Sequence, residues 1–339
     1  MSQIAVIGAG AWGTALAIVL GRKQRHQVRL WAYEKEVRES IERERINKLF
    51  LPGQTIPDGV WVTGDLSDAL SGAAILVSAM PSQHCRGLFE QMCPLLRDDM
   101  LVVSATKGLE QTTLLRMTEV IGLITKQRGT DCRVGALSGP SFAAEVARGD
   151  PTAITIACRN EKLAATVQQE FSDLAFRVYT NDDVVGVELG GALKNIIAIA
   201  AGVCDGLGLG HNSVAALITR GLAEITRLVG ACGGRTETMS GLAGLGDLVL
   251  TCTGGLSRNR SVGVELGSGR KLPEIIAGMH GMVAEGVYTT DAAVQLARKH
   301  GVEMPITEQM HAILNEGKSP QDAIQELMMR TSKSEIGSS

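Results

Sequence analysis

Short, mostly apolar runs alternate with segments of helical period through the first half of the chain. They fall at residues 4–7, 28–31, 75–79, 101–104, 134–138 and 152–157, with 60–63 as a shorter candidate. Strands buried on both faces read this way, so the pattern predicts a mainly parallel sheet covered on both sides by helices. From about Asp182 the texture changes: helical periods run over 185–205, 213–230, 284–300 and 307–316, and no stretch reads convincingly as a strand. Two domains are therefore expected, at 1–181 and 182–330, followed by a polar, frayed tail at 331–339.

The first apolar run, Ile4-Ala5-Val6-Ile7, leads straight into Gly8, Gly10 and Gly13 and then into a helical stretch at 14–20. A dinucleotide's pyrophosphate needs this arrangement. The first glycine makes the turn, the second lets backbone approach the phosphates, and the third lets the helix pack closely on its strand. Glycine is common here, at 40 of 339 residues, so packing alone could account for the spacing. Its position after a strand, with a second strand about one helix later, favours a nucleotide site. The predicted fold class is an α/β Rossmann-type doubly wound sheet followed by a second, all-α domain. Ligands bind such sheets beyond the carboxyl ends of the strands. That rim carries Met80-Pro81-Ser82, Thr106-Lys107-Gly108 and Ser138-Gly139-Pro140-Ser141.

In the second half, Lys194 stands at the mouth of an apolar helical run, 195–202, in which only Asn195 is polar. Burying an ammonium there shifts its pKa toward neutrality and suits it to proton transfer, unless it snorkels to water. Asp247 in Gly244-Leu245-Gly246-Asp247-Leu248 is either the N-cap of a following helix or the partner of Lys194, or both. Ser257-Arg258-Asn259-Arg260 offers guanidinium, amide and hydroxyl donors suited to a phosphate, with a solvated turn as the alternative. Gly206 to Gly210, Gly241 to Gly246 and Gly254-Gly255 read as tight loops near a ligand or as helix C-caps.

Composition narrows the partners. Lys+Arg 33 against Asp+Glu 36 gives a net charge of −3, and aromatics are 3% of the chain, so neither nucleic acid nor an anionic membrane is expected. The seven cysteines form no C-x-x-C pair and the histidines no ligand spacing, so reduced, mostly buried thiols and no metal are expected. No stretch reads as the roughly 20 apolar residues of a bilayer span, and no charged leader precedes the first strand, so a cytoplasmic location is expected.

Gly8-Ala9-Gly10-Ala11-Trp12-Gly13, Ala105-Thr106-Lys107-Gly108, Ser138-Gly139-Pro140-Ser141-Phe142-Ala143, Gly190-Gly191-Ala192-Leu193-Lys194-Asn195, Gly244-Leu245-Gly246-Asp247-Leu248 and Ser257-Arg258-Asn259-Arg260 stand in one order. Together they resemble the soluble bacterial NAD(P)-dependent glycerol-3-phosphate dehydrogenase family, and the likeness runs from Ile4 to about Gly317. The resemblance implies NADPH- or NADH-dependent reduction of dihydroxyacetone phosphate to sn-glycerol 3-phosphate, the backbone of glycerophospholipids. It implies Lys194 as general acid, with Lys107, Asn195 and Asp247 around the reacting oxygens. Ser257, Arg258 and Asn259 would hold the phosphate, and Gly139 and Ser141 would line the substrate. Gly8, Gly10, Ala11, Trp12, Gly13, Tyr33, Lys107, Ala143, Arg258, Val283 and Glu285 would face the coenzyme.

About twenty residues beyond Gly13 the dinucleotide fingerprint calls for a ribose-binding acid. Tyr33 and Glu34 stand there, and the sequence shows no arginine beside them to hold a 2′-phosphate, so NADP and NAD are both left open. A runner-up is another two-domain dehydrogenase, of 3-hydroxyacid or ketopantoate type, for which a phosphate anchor would be pointless. A nucleotide-sensing protein without catalysis would have no use for a buried lysine and aspartate. A homodimer through the helical half is a further expectation.

Overall fold

The computed structural model describes residues 2–130, 132–279, 281–332, 334 and 335; of the tail expected at 331–339, residues 333 and 336–339 lie outside the described residues. Its strands are β1 (Ser2–Ile7), β2 (His26–Trp31), β3 (Ile46–Asn47), β4 (Leu51–Thr55), β5 (Val60–Thr63), β6 (Ile75–Ser78), β7 (Leu101–Ser104), β8 (Arg133–Ser138), β9 (Thr152–Ala157) and β10 (Phe176–Asn181). Eight of them form one sheet in the order β10-β9-β8-β7-β6-β1-β2-β5. Every neighbouring pair is parallel except β8 and β9. All seven apolar runs became strands, because a segment apolar on both faces is most stable with helices above and below it. The helices over the two faces close two cores, one built around Ile4, Leu16 and Val103, the other around Ile7, Phe89 and Val102.

Three strands were not foreseen. β10 alternates, with Phe176 and Val178 buried and Arg177 and Tyr179 exposed, as suits an edge strand with one face in water. A search for wholly apolar runs passes over it. The β3–β4 hairpin is short and carries Pro52 and Gly53. The connection from β8 to β9 holds only the short helix Ala143–Arg148, which packs on the helix Ala11–Arg22 and does not cross the sheet, so β9 returns antiparallel.

After β10 the described residues form no strand. The helix Val184–Gly206 runs through the middle of the second half, with His211–Ala231, Asp247–Thr253, Arg258–Gly267 and Glu285–His300 packed around it. Its closest neighbour is Arg258–Gly267, because glycines face each other there. A Cβ on Gly202 would lie 2.0 Å from the Arg260 carbonyl oxygen, and one on Gly263 would lie 2.0 Å from that of Ile199. Backbone contact between these helices later brings two asparagines together. One expectation needs correcting: Val184–Gly206 is long and apolar enough to cross a bilayer. Its apolar surface is instead covered by protein, since 89% of its most apolar window is buried.

Candidate active site

Strand order reverses between β1, which leads outward to β2 and β5, and β6, which leads the other way to β7 and β8. A crevice opens at such a point, outside the carboxyl ends of the strands. Gly8 leaves β1 with φ +112°, and a Cβ there would meet the Ala79 carbonyl oxygen at 2.8 Å. A Cβ on Gly13 would lie 1.9 Å from the Gly8 carbonyl oxygen, so the helix Ala11–Arg22 sits hard against its strand. Gly10, the N-cap, has nothing within 4 Å of where a side chain would begin. No acidic or capping side chain occupies the first turn, whose N–H groups are left for an anion. The buried indole N–H of Trp12, in that turn, has no hydrogen-bond partner. Tight glycines, an open cap and an orphaned donor fit a dinucleotide.

At the end of β2, Tyr33 is 78% exposed, its ring tilted against Trp31 at 6.2 Å. Here the sequence reading is corrected, because an arginine does stand beside Tyr33 and Glu34. Glu34 is the N-cap of the helix Lys35–Glu44, and Arg38, four residues on, is returned by one helical turn over the strand end. Its Nη1 donates to the carbonyls of Ala32 and Tyr33, both at 2.8 Å. The i, i+4 relation to Glu34 was the available signal.

The reactive cluster lies on the helical side of the crevice. Lys194 is not at a helix mouth but in the middle of Val184–Gly206, and it is 6% exposed, too enclosed to snorkel. Its Nζ donates to Asp247 Oδ1 at 2.8 Å and to Thr251 Oγ1 at 2.6 Å. Lys107, from the loop after β7, donates to Asp247 Oδ2 at 2.6 Å and to the Gly139 carbonyl at 3.2 Å. Ser141 Oγ donates to the same carbonyl at 2.9 Å. Asp247 therefore bridges two ammonium groups and is no N-cap: Gly246 takes that position and Asp247 is the first helical residue. A single π turn, Leu242–Gly246, precedes it and aims its carboxylate inward.

Electrostatics follow from burial and this triangle. Loss of hydration lowers the Lys194 pKa to about 8, against the pull of Asp247 and with the repulsion of Lys107. Burial alone would raise Asp247, but the two ammonium groups prevail and hold its carboxyl below the usual range. The neighbouring Cys252 thiol is pushed up to about 12 by burial and stays neutral.

A second group sits where the helices Arg258–Gly267 and Glu285–His300 begin. Ser257 Oγ is the N-cap acceptor for the Arg260 N–H at 3.2 Å. The two arginines part company: Arg260 Nη2 turns to Asp205 at 2.6 Å, whereas Arg258 is open to solvent and makes no hydrogen bond or ion pair among the described residues. Asn259 Nδ2 donates to Asn195 Oδ1 at 3.0 Å, and its Oδ1 accepts the Gly286 N–H at 2.9 Å. Glu285 reaches across the crevice to Ser82, taking its N–H at 3.1 Å and its hydroxyl at 2.7 Å. Burial raises the Glu285 pKa, with the Ser82 bonds and Arg258 opposing. Val283 lies half-buried just before, and Ala143 opens the helix Ala143–Arg148. Thr251 and Arg38 were missed by sequence reasoning, which placed Ser82 on the rim but gave it no partner; Thr251 carries only a hydroxyl, and an isolated hydroxyl leaves no pattern.

Both halves of the chain match known proteins. The model described as the NAD-dependent glycerol-3-phosphate dehydrogenase N-terminus matches residues 3–164, and the one for the C-terminus of the same enzymes matches 183–325. The chain belongs to the NAD-dependent glycerol-3-phosphate dehydrogenase family. It is 72% identical over 336 residues to glycerol-3-phosphate dehydrogenase [NAD(P)+] of Koribacter versatilis, covering 99% of both chains. The crystal structure of glycerol-3-phosphate dehydrogenase from Coxiella burnetii is similar throughout, with a TM-score of 0.92 and 44% identity over 97% of this chain and 99% of that one. A ketopantoate reductase from Ralstonia eutropha shares the fold alone, with a TM-score of 0.60 and 16% identity over 95% of this chain and 99% of that one. Family membership makes the chain an NAD(P)-dependent oxidoreductase with a Rossmann-like domain followed by a helical one.

Proposed function

We propose that this chain catalyses the reversible reduction of dihydroxyacetone phosphate to sn-glycerol 3-phosphate with NADPH or NADH, in the cytoplasm, supplying the glycerophospholipid backbone. The observation that carries the reading is a buried lysine with a pKa of about 8, bonded to an aspartate and a threonine, whose neighbour Asn195 bonds Asn259, next in sequence to an arginine without a hydrogen bond or ion pair among the described residues. The coenzyme, when bound at Gly8, Gly10, Ala11, Trp12 and Gly13 with Tyr33, Ala143, Val283 and Glu285 along its length, supplies or takes a hydride at the carbonyl carbon. Lys194 would give its proton to the carbonyl oxygen as that oxygen takes the C=O π pair, and take it back in the reverse direction. Asp247 keeps Lys194 charged until transfer and, with Lys107 and Asn195, surrounds the reacting oxygens. Gly139 and Ser141 line the substrate. Arg258, with Ser257 and Asn259, holds the phosphate, and Arg258 and Lys107 also face the coenzyme. The division at 181/182 into coenzyme and substrate domains is part of this reading. So is a homodimer through the helical domain, supported by its exposed Val249 and Leu256 and tested by sedimentation.

Two arms test the reaction. Coenzyme oxidation should be rapid with dihydroxyacetone phosphate and weak with dihydroxyacetone, and Arg258→Lys should raise the KM for the phosphorylated ketone about tenfold or more, because a point charge replaces a planar fork. Equal kcat/KM for the two ketones overturns the phosphate anchor and favours a dehydrogenase of an unphosphorylated acid.

A further inference from the structure

In a doubly wound dinucleotide site, the adenosine ribose meets the end of the second strand. An acid there binds the ribose hydroxyls and repels a 2′-phosphate, and an arginine accepts one. In this chain Tyr33 takes the acid's place and presents an exposed ring. Arg38 lies beside it, fixed in two ways. Nη1 is held by the carbonyls of Ala32 and Tyr33. One side of the guanidinium rests on Gly64, where a Cβ would lie 2.8 Å from Cζ. Gly64 is itself held, its carbonyl accepting the Trp31 indole N–H at 3.0 Å. Among the described residues Nε and Nη2 make no hydrogen bond and Arg38 joins no ion pair; the nearby Lys35 and Glu39 pair with each other at 3.2 Å. A half-buried cation with one nitrogen tied down and an adjacent donor pair unused is a preorganised fork for an oxyanion.

We propose that Arg38 binds the 2′-phosphate of NADPH through Nε and Nη2 and so makes the phosphorylated coenzyme acceptable to a site that Glu34 would otherwise turn against it. The proposal rests on the Gly8–Gly13 crevice being the coenzyme site. Calorimetric titration of the coenzyme-free protein with 2′,5′-ADP and with 5′-ADP tests both. Arg38→Met should weaken 2′,5′-ADP binding about 10- to 100-fold, the worth of losing charge-assisted bonds, and 5′-ADP by no more than about twofold. Arg38→Lys should fall between, and Glu34→Gln should tighten 2′,5′-ADP selectively. The kcat/KM ratio of NADPH to NADH should follow the same order. Equal weakening of both ligands by Arg38→Met would make Arg38 a strut for the end of β2 and overturn the proposal, as would an unchanged affinity for 2′,5′-ADP. If the unaltered protein bound neither nucleotide, the crevice assignment itself would fall.

Discussion

Lys194 is a lysine whose neighbours disagree about its charge. Burial and Lys107 favour the neutral amine, Asp247 favours the ammonium, and the balance is a pKa of about 8. A proton donor must be protonated before transfer, so reduction is expected to be fastest below pH 8 and to fall as pH rises through it. The reverse oxidation, which needs the neutral amine, rises over the same interval. Thr251 accepts a hydrogen bond from the same Nζ. Thr251→Val removes a partner that the ammonium uses more strongly than the amine, so the falling limb of the reduction profile should move to lower pH while coenzyme KM stays put. A limb that did not move would mean another group sets it. Sequence alone showed that a lysine in an apolar helical run demands an explanation, and it offered Asp247 as a partner, with an N-cap as the alternative. It could not show Thr251, because one hydroxyl four residues along a helix resembles any other. Arg38 was passed over for a related reason: the reading looked along the strand, and the arginine arrives from the next helical turn.

Elements show where periodicity suffices and where it does not. Wholly apolar runs gave strands with little shift in their ends, because burial on both faces leaves no other stable arrangement. β10 and the π turn before Asp247 were not legible, the first for its half-polar alternation and the second because a wide turn has no composition of its own. Contacts between elements are harder still, and Glu224 is an example. This buried carboxylate in His211–Ala231 caps the helix Pro305–Asn315, accepting the N–H groups of Ile306 at 2.7 Å and Thr307 at 3.3 Å. Burial raises its pKa to about 7 despite those bonds. Since the folded carboxyl holds its proton more tightly than the unfolded one, this group's contribution to stability is greatest below the unfolded pKa. It declines as pH rises from there to about 7. Thermal unfolding of Glu224→Gln, which keeps an acceptor but cannot ionise, should lack that decline, so native and variant melting temperatures should diverge in the variant's favour between pH 5 and 8. Parallel pH curves would assign the slope to other carboxylates.

At the scale of the molecule, charged contacts tie the strand-end rim to the helices, among them Lys107 to Asp247, Ser82 to Glu285, and Arg116 with Thr118 to Glu188. They are not equivalent. Glu188 is buried and accepts from Arg116 Nη1 at 2.7 Å and the Thr118 N–H at 2.9 Å. Removing it leaves the Arg116 guanidinium, whose side chain is 15% exposed, paired with Glu119 alone at 2.7 Å, and leaves the Thr118 N–H without its carboxylate. Glu188→Ala should therefore cost about 1–3 kcal/mol of stability, measured by urea unfolding, and leave the coenzyme KM of the remaining folded enzyme nearly unchanged. Ser82 sits at the switch point, where the coenzyme would lie, and its hydroxyl fixes a carboxylate that faces the same crevice. Ser82→Ala leaves the N–H contact to Glu285 and opens no cavity of consequence, so its stability should change by about 1 kcal/mol or less, while coenzyme KM rises several-fold as Glu285 loses its orientation. The two variants thus separate a bolt from a clamp. Comparable losses of stability in both, with coenzyme KM untouched in both, would show that Ser82–Glu285 is only another seam between the two halves.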